Sequence, residues 1–324
     1  MDVFYEICLK GRNFQEEDVM SVEVQERRFP STNGKDQIRY LTWKDDSVET
    51  KGIALIAHGV CEHIDRFHGI GEYLAKKGYA VYGEDHIGHG KTAMGEKGDY
   101  RKIGKVTKNA DKDIIKDMHK MRDIAVSENP GLPEIIVGHS MGSFVAKIYC
   151  AEYGKELSAA VYCGSGDFFG SGFRILIYPL LPLFYDEKIK DFEIPVSNNM
   201  LTTCWLSRSK ENRADYLKDK MTTKYYTPGL MACLGGLAAR SAGMAWAVRV
   251  PKNLPILVVA GDQDRVGFFG IGVKQADKWM DLVGIKDHTT KWYKGYRHEL
   301  FRDDCRQDVY YDIDQWLKKE GLPN

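Results

Sequence analysis

The chain has 324 residues, 43% of them hydrophobic and 28% charged, with 46 basic and 46 acidic side chains. That composition is globular and long enough for one large domain or two ordinary ones. The neutral balance gives no electrostatic basis for a nucleic-acid partner or for attachment to an anionic membrane surface.

The seven cysteines are scattered and never form a CxxC pair. This argues against a disulfide framework or a zinc knuckle and fits a reducing cytosol, so a cytoplasmic location is expected. Met1-Asp2-Val3-Phe4-Tyr5 lacks the basic and apolar regions of a signal peptide. No apolar run reaches the ~18 residues that would suggest a membrane-spanning helix.

The chain opens as β structure. Val22 to Glu26 alternates in polarity, and so does Gln37 to Trp43, with Ser31-Thr32-Asn33-Gly34 as the turn between them. The pattern predicts an antiparallel hairpin at a sheet edge. Ile53 to Ala57 is a short apolar run, as expected of a strand covered on both faces. Ile64, Phe67, Ile70 and Leu74 then share a helical face that Gly78 ends. Tyr79 to Tyr82 reads as a strand. Ala110, Ile114, Met118, Met121 and Ala125 mark a helix, Glu134 to Val137 a strand, 142–153 a helix and Ala159 to Cys163 a strand.

From about residue 166 to about 250 this alternation stops. The stretch includes an apolar segment, Phe173 to Tyr185, broken by Pro179 and Pro182. The alternation resumes with a strand at Ile256 to Ala260 and a helix marked by Val273, Ala276 and Met280. A strand at Thr289 to Tyr293 follows, then a last helix marked by Val309, Ile313, Trp316 and Leu317. Alternating strands and helices predict an α/β fold, a mostly parallel sheet with helices on both faces. The interruption is most simply an inserted helical cap. The expected organisation is a single domain over 1–324, with a core of about 1–165 and 251–324 and a cap of about 166–250.

The strongest chemical signal is Gly138-His139-Ser140-Met141-Gly142, directly after a strand and before a helix. G-x-S-x-G in that context is a nucleophile elbow. The turn is tight, so the flanking positions must lack bulk, and it exposes the serine hydroxyl at the strand end. A serine hydroxyl needs a neighbouring base. Chain order in such folds is nucleophile, acid, histidine, and here His298 follows the late strand at Thr289 to Tyr293. Two carboxylates, Asp262 and Asp264, follow the strand at Ile256 to Ala260. Asp264 is the preferred acid, with Asp262 placed to cap the turn through backbone N–H groups. Oxyanion donors are expected from the N–H of Met141 and, after the early strand, the N–H of Val60, with Gly59 allowing close backbone approach.

The remaining polar clusters carry less. His58, His63, His68, His86, His89 and Asp85 match no metal-binding spacing, so no metal is expected. Glu62 and Arg66, four apart, read as a local ion pair. Gly88-His89-Gly90 reads as a flexible loop near the site. Part of the segment 173–185, represented by Leu176 and Leu180, is expected to line a hydrophobic acyl pocket.

Together these residues resemble the lysophospholipase and monoacylglycerol-lipase branch of the α/β-hydrolases, especially its bacterial members. The resemblance rests on His58-Gly59-Val60-Cys61-Glu62-His63 with Arg66-Phe67, on Asp85-His86-Ile87-Gly88-His89-Gly90, and on the elbow. Gly261-Asp262-Gln263-Asp264, His298-Glu299 and, in the cap, Trp205-Leu206-Ser207-Arg208 complete it. The sequence departs at Ser143, where the family often has a second glycine, and at Cys61, where it often has a small residue. The resemblance implies the α/β-hydrolase fold, Ser140 as nucleophile, Asp264 as acid, His298 as base, and Val60 and Met141 as oxyanion donors. It implies a serine esterase that needs no cofactor and takes a small-molecule ester with one acyl chain, such as a monoacylglycerol or lysophospholipid. Transient contact of the cap with a lipid surface is also expected. The alternatives are another ester, or an N-terminal peptide bond, on the same triad, or a non-catalytic binding protein of the same fold.

Overall fold

Uninterrupted apolar runs such as Gly52–Ala57 and Ile256–Gly261 are expected only with both faces covered, and the computed structural model places both as inner strands of one sheet. It describes residues 22–167, 178–195, 202–223 and 225–323. In chain order the elements begin β1 (Val22–Pro30), β2 (Gln37–Asp45), β3 (Gly52–Ala57), α1 (His68–Lys76), β4 (Tyr79–Glu84), α2 (Gly90–Met94) and α3 (Ala110–Glu128). There follow β5 (Glu134–His139), α4 (Met141–Tyr153) and β6 (Ala159–Cys163). Next come β7 (Ile194–Pro195), α5 (Lys210–Lys218), β8 (Tyr225–Tyr226), α6 (Pro228–Arg240) and α7 (Met244–Ala247). The chain closes with β9 (Ile256–Gly261), α8 (Ile271–Val283), β10 (His288–Tyr293) and α9 (Arg306–Lys319).

The main sheet has eight strands in the order β1-β2-β4-β3-β5-β6-β9-β10. The β1–β2 hairpin and the β2–β4 pair are antiparallel, and all other neighbours are parallel. This is the fold expected from the sequence. Side chains alternate across the sheet. Ile53 and Leu55 pack with Met118 of α3 and Ile148 of α4 on one face, while Ala54 and Ile56 pack with Leu74 of α1 and Ile313 of α9 on the other.

The chain moves from β3 outward to β4, then crosses back to β5 on the far side of β3. The connections after β3 and β5 therefore part at a topological switch point, where open α/β sheets form their ligand crevice. One small difference from the sequence lies after β3. The single helical face of Ile64, Phe67, Ile70 and Leu74 is split into a 3-10 turn, Ile64–Phe67, and α1. The Asp85 carboxylate takes the Ile64 N–H at 2.8 Å and anchors the tighter first turn.

Between β6 and β9 no described residue joins the main sheet. A 3-10 run over Tyr178–Tyr185, the short β7–β8 ribbon and helices α5 to α7 occupy this stretch instead. Helix α6 is fastened at its start. Thr227 Oγ1 accepts the Leu230 N–H at 3.0 Å and donates to the Gly104 carbonyl at 2.6 Å. Its apolar face buries Leu230, Cys233 and Leu237 in the core shared with α3 and α4. No described helix is long and apolar enough to cross a membrane.

The turn from β5 into α4 is fixed by steric contact. A Cβ at Gly142 would collide with the Ala57 carbonyl on β3, and one at Gly138 with the Gly142 carbonyl. Gly142→Ala should therefore destabilise the protein by at least about 3 kcal/mol, because backbone on both sides leaves nowhere to relax. Urea unfolding followed by circular dichroism measures this, and an unchanged midpoint would contradict the close approach.

Candidate active site

Ser140 lies between β5 and α4 at φ +54° and ψ −120°, a left-handed conformation that L residues avoid. Local contacts hold it there. Its N–H donates to the Cys163 carbonyl on β6 at 3.0 Å, and Ser143 Oγ donates to its carbonyl at 2.6 Å. Ser143, a departure from the family pattern, thus adds a hydrogen bond that a glycine could not. Met141 is the first residue of α4, so its N–H belongs to the turn that has no intrahelical acceptor.

Asp264 lies three residues past β9, and its Oδ2 is 2.9 Å from His298 Nδ1. A carboxylate can only accept, so Nδ1 carries the proton and Nε2 is left free as a base. Burial pushes the Asp264 carboxyl up, but the His298 ring and the N–H groups of Val266 and Gly267 outweigh it and hold the carboxyl below its ordinary range. Asp262 does the other job. Its Oδ1 accepts the Gly295 N–H at 2.6 Å and ties together the loops after β9 and β10. The two carboxylates thus have different partners, Asp264 the His298 ring and Asp262 a backbone N–H.

Ser140, Met141, Val60 and His298 all line one cavity of about 700 Å³. Its other walls are mainly apolar, including Phe144, Leu181, Phe184, Tyr226, Leu234 and Ala238. Leu176 lies outside the described residues. Leu180 does not line the cavity, contrary to expectation, and is 49% exposed. The 3-10 geometry explains this. Residues three apart share a face, so Leu181, which is buried, and Phe184, which is still half-exposed, border the cavity while Leu180 and Leu183 turn out.

A buried ionic network beneath the site was not legible in the sequence. Glu62 Oε1 accepts the Gly59 N–H at 2.6 Å and the His139 Nδ1–H at 2.8 Å. His139 Nε2 donates to the His298 carbonyl at 3.3 Å. Both His139 nitrogens therefore donate, which requires the imidazolium form. Burial opposes that charge, but Glu62 overcomes it and raises the His139 pKa, while Glu62 is driven far down despite its own burial. Arg66 contacts Glu62 at 3.3 Å, the local pair expected, and also holds Glu299 at 2.9 Å. Asn212 of α5 donates to Glu299 at 2.7 Å.

The segment 204–209 grips the loop that carries His298. The Leu206 carbonyl accepts the N–H groups of His298 and Glu299 at 3.1 and 2.8 Å. The Trp205 ring lies 5.6 Å from the His298 ring. Asp303 accepts the N–H groups of Arg208 and Ser209. Gly88-His89-Gly90 proves to be a packed wall rather than a loose loop, with His89 fully buried 5.2 Å from the His58 ring, behind the β3 loop.

Among the described residues, one group has the donor types for a cation: His63, Asp65 and Asp85. Arg39 already supplies the positive charge there, at 2.7 Å from Asp65 and 3.4 Å from Asp85. His63 bridges Asp65 at 3.1 Å and Asp219 at 2.7 Å.

The comparison with known proteins agrees with this geometry. The family model described as "Serine aminopeptidase, S33" matches residues 48–305. The chain belongs to that family of α/β-hydrolases. It is 30% identical to a monoacylglycerol lipase of Mycolicibacterium smegmatis over 293 residues, covering 90% of this chain and 96% of that one. It is 23% identical to the human monoglyceride lipase, covering 86% and 85%. A solved carboxyl esterase from Bacillus coagulans, in complex with glycerol, superposes with a TM-score of 0.81 at 28% identity, covering 91% of this chain and 98% of that one. In this hydrolase the family match spans the elbow, Asp264, His298 and the whole stretch between β6 and β9.

The His63 bridge links the β3 loop to the segment after α5 and makes stability depend on pH. Burial lowers the His63 pKa, but Asp219 and Asp65 raise it to about 9 from an ordinary 6.5. A raised folded pKa stabilises fully below the unfolded value and is lost as pH rises through the folded one. About 3 kcal/mol should therefore disappear between about pH 6.5 and pH 9. Asp219→Asn should move this loss to lower pH. Thermal unfolding of both proteins across that range measures it, and parallel curves would contradict the bridge.

Proposed function

We propose that this chain is a serine esterase of the monoacylglycerol-lipase type, cleaving carboxylic esters that carry one acyl chain through an acyl-enzyme on Ser140. The observation that carries the reading is the 2.9 Å contact between Asp264 and His298 beside a large, mainly apolar cavity that Ser140 also lines. His298 Nε2 takes the Ser140 hydroxyl proton as Oγ attacks the ester carbonyl carbon. The carbonyl electron pair moves to oxygen, and the oxyanion is held by the N–H groups of Val60 and Met141. Collapse expels the alcohol, which leaves with the proton from His298. Water, deprotonated by His298, then attacks the acyl-enzyme, and the same steps in reverse order free the acid and restore Ser140. No step calls for a cofactor.

A cavity of about 700 Å³ falls within the size of single-ligand pockets. That size and the apolar walls suit one acyl chain of a monoacylglycerol or lysophospholipid. Residues from about 166 to 250 act as the cap of a single hydrolase domain and supply much of the chain-binding wall. Leu183, Phe268 and Phe269 are exposed apolar side chains, and Phe268 lies at the cavity rim. They support transient contact with a lipid surface. The buried thiols Cys61, Cys150, Cys163, Cys233 and Cys305, none of them in a disulfide, support a reducing compartment, the cytoplasm.

Ser140→Ala should lower kcat by about 10⁶, and Asp264→Asn by about 10⁴, while Asp262→Asn affects stability more than turnover. Each buried methylene contributes about 0.8 kcal/mol, so kcat/KM should climb with acyl length until the cavity is full. A p-nitrophenyl ester series, with Phe184→Asp as the cavity variant, measures both. Undiminished turnover by Ser140→Ala would remove Ser140 from the chemistry, and a flat chain-length profile would remove the cavity from acyl binding.

A further inference from the structure

The turn after β3 has little local reason to hold its shape. Cys61 adopts φ +64°, which L residues avoid, and Val60 before it is only partly buried. Two side chains hold the peptide groups of this turn from behind. Glu62 takes the Gly59 N–H at 2.6 Å, which fixes the peptide between His58 and Gly59. The next peptide, between Gly59 and Val60, is held by His58 Nδ1, 2.7 Å from the Gly59 carbonyl.

The His58 tautomer follows from its partners. The His86 backbone N–H donates to His58 Nε2 at 3.0 Å, so Nε2 carries a lone pair and the proton is on Nδ1. The ring is fully buried, 4.2 Å from the His86 ring and 5.2 Å from the His89 ring. Burial first, then the neighbouring His86, push its pKa well below the ordinary value, so it stays neutral. A neutral ring with this tautomer donates one way only, to the Gly59 carbonyl.

The Gly59 carbonyl and the Val60 N–H are opposite ends of one planar peptide. A donor fixed on the carbonyl end also fixes where the N–H end points. It polarises that N–H as well, since hydrogen bonds in a chain strengthen one another in a low-dielectric interior. We infer that His58 is a positioning residue of the oxyanion hole: the relay from the His86 N–H through the His58 ring to the Gly59 carbonyl aims and polarises the Val60 N–H toward the substrate oxyanion. The inference rests on the acyl-transfer reading above and adds the buried imidazole behind it. His58 touches neither substrate nor Ser140 in this role, and it should matter for the tetrahedral state alone.

Two substitutions separate donation from packing. Asn at 58 can place its amide nitrogen where Nδ1 is and keep the bond to Gly59. Gln reaches the Nε2 position and loses it. His58→Gln should lower kcat about 10- to 100-fold, somewhat less than the ~10²–10³ of losing an oxyanion donor outright. KM should stay within about twofold, and affinity for a trifluoromethyl ketone, which forms a tetrahedral adduct on Ser140, should fall in parallel with kcat. His58→Asn should recover most of both. Wild-type kcat and inhibitor affinity in His58→Gln would overturn the inference, and so would equal damage in both variants with raised KM. Wild-type protein supplies a check that needs no variant. With ¹⁵N-labelled histidine, and with the His58 ring assigned as the one missing from the His58→Asn spectrum, that ring should remain the neutral Nδ1–H tautomer from about pH 5 to about pH 9, and its proton should move downfield when the ketone adduct forms, while those of the buried His86 and His89 rings, whose Nδ1 atoms face Glu84 and the Ile87 carbonyl, move less. A His58 ring protonated on Nε2 would overturn the inference. If wild type hydrolyses no ester, the acyl-transfer reading itself falls. If wild type is active and His58→Gln equally so, only the role of His58 falls.

Discussion

The buried contact between Glu62 and His139 is where three separate loops meet. Glu62 belongs to the loop after β3 and grips the Gly59 N–H, one residue before Val60, the proposed oxyanion donor. His139 is the residue before Ser140 and reaches Glu62 through one nitrogen and the His298 carbonyl through the other. One imidazolium–carboxylate pair thus relates the loop after β3, the strained Ser140 and the loop that carries His298. Desolvating such a pair costs several kcal/mol per ion unless the remaining lone pairs and protons are also satisfied. Here Arg66 neutralises Glu62 from a second side and Glu299 in turn, and Asn212 completes Glu299. Removing either member of the central pair would leave an uncompensated buried charge, so the arrangement resists partial loss.

The same network explains how the cavity stays apolar although Glu62, His139 and Glu299 border it. Their charges face one another rather than the cavity. An acyl chain then meets Phe144, Leu181 and Leu234, and an oxyanion meets backbone N–H groups in a medium of low dielectric, where each donor counts for more than in water. Asn212 of α5 and the Leu206 carbonyl bring the stretch between β6 and β9 into this arrangement. Described residues of that stretch therefore do more than border the cavity: Asn212 and Leu206 hydrogen-bond to the loop that carries His298.

Much of this was legible in the sequence because it is local or periodic. The β1–β2 hairpin, the apolar runs of β3 and β9 and the helical spacing in α3 each follow from side-chain alternation within a few residues. The elbow glycines could be read because a tight strand-to-helix turn leaves no room for bulk: at Gly138 the obstacle is local, the Gly142 carbonyl, although at Gly142 it is the distant Ala57 carbonyl. Asp262 and Asp264 differ by two positions, and turn geometry suggested which one caps. The Glu62–His139 pair could not be read this way, since its partners are 77 residues apart and each has an ordinary local explanation. The available signal was His139, a histidine directly before the elbow serine that the triad does not use. Leu180 misled for another reason. Composition marks the whole segment Phe173 to Tyr185 as apolar, whereas 3-10 periodicity decides which side chains of its part Tyr178–Tyr185 border the cavity. The flexible reading of Gly88-His89-Gly90 likewise missed tertiary burial, which glycine content cannot reveal.

The family description names an aminopeptidase, while the relatives in hand are ester hydrolases. The cavity decides between them in this account: it offers a long apolar wall, and its bordering carboxylates Glu62 and Glu299 are already paired with buried cations rather than free to receive a peptide's N-terminal ammonium group. The most direct measurement is turnover by the purified protein of a medium-chain monoacylglycerol and of an aminoacyl p-nitroanilide, side by side under the same conditions. The expected kcat/KM is at least about 10⁴ M⁻¹s⁻¹ on the monoacylglycerol and lower by three or more orders of magnitude, about 10 M⁻¹s⁻¹ or less, on the anilide. Efficient release of the anilide with no hydrolysis of the monoacylglycerol would contradict it.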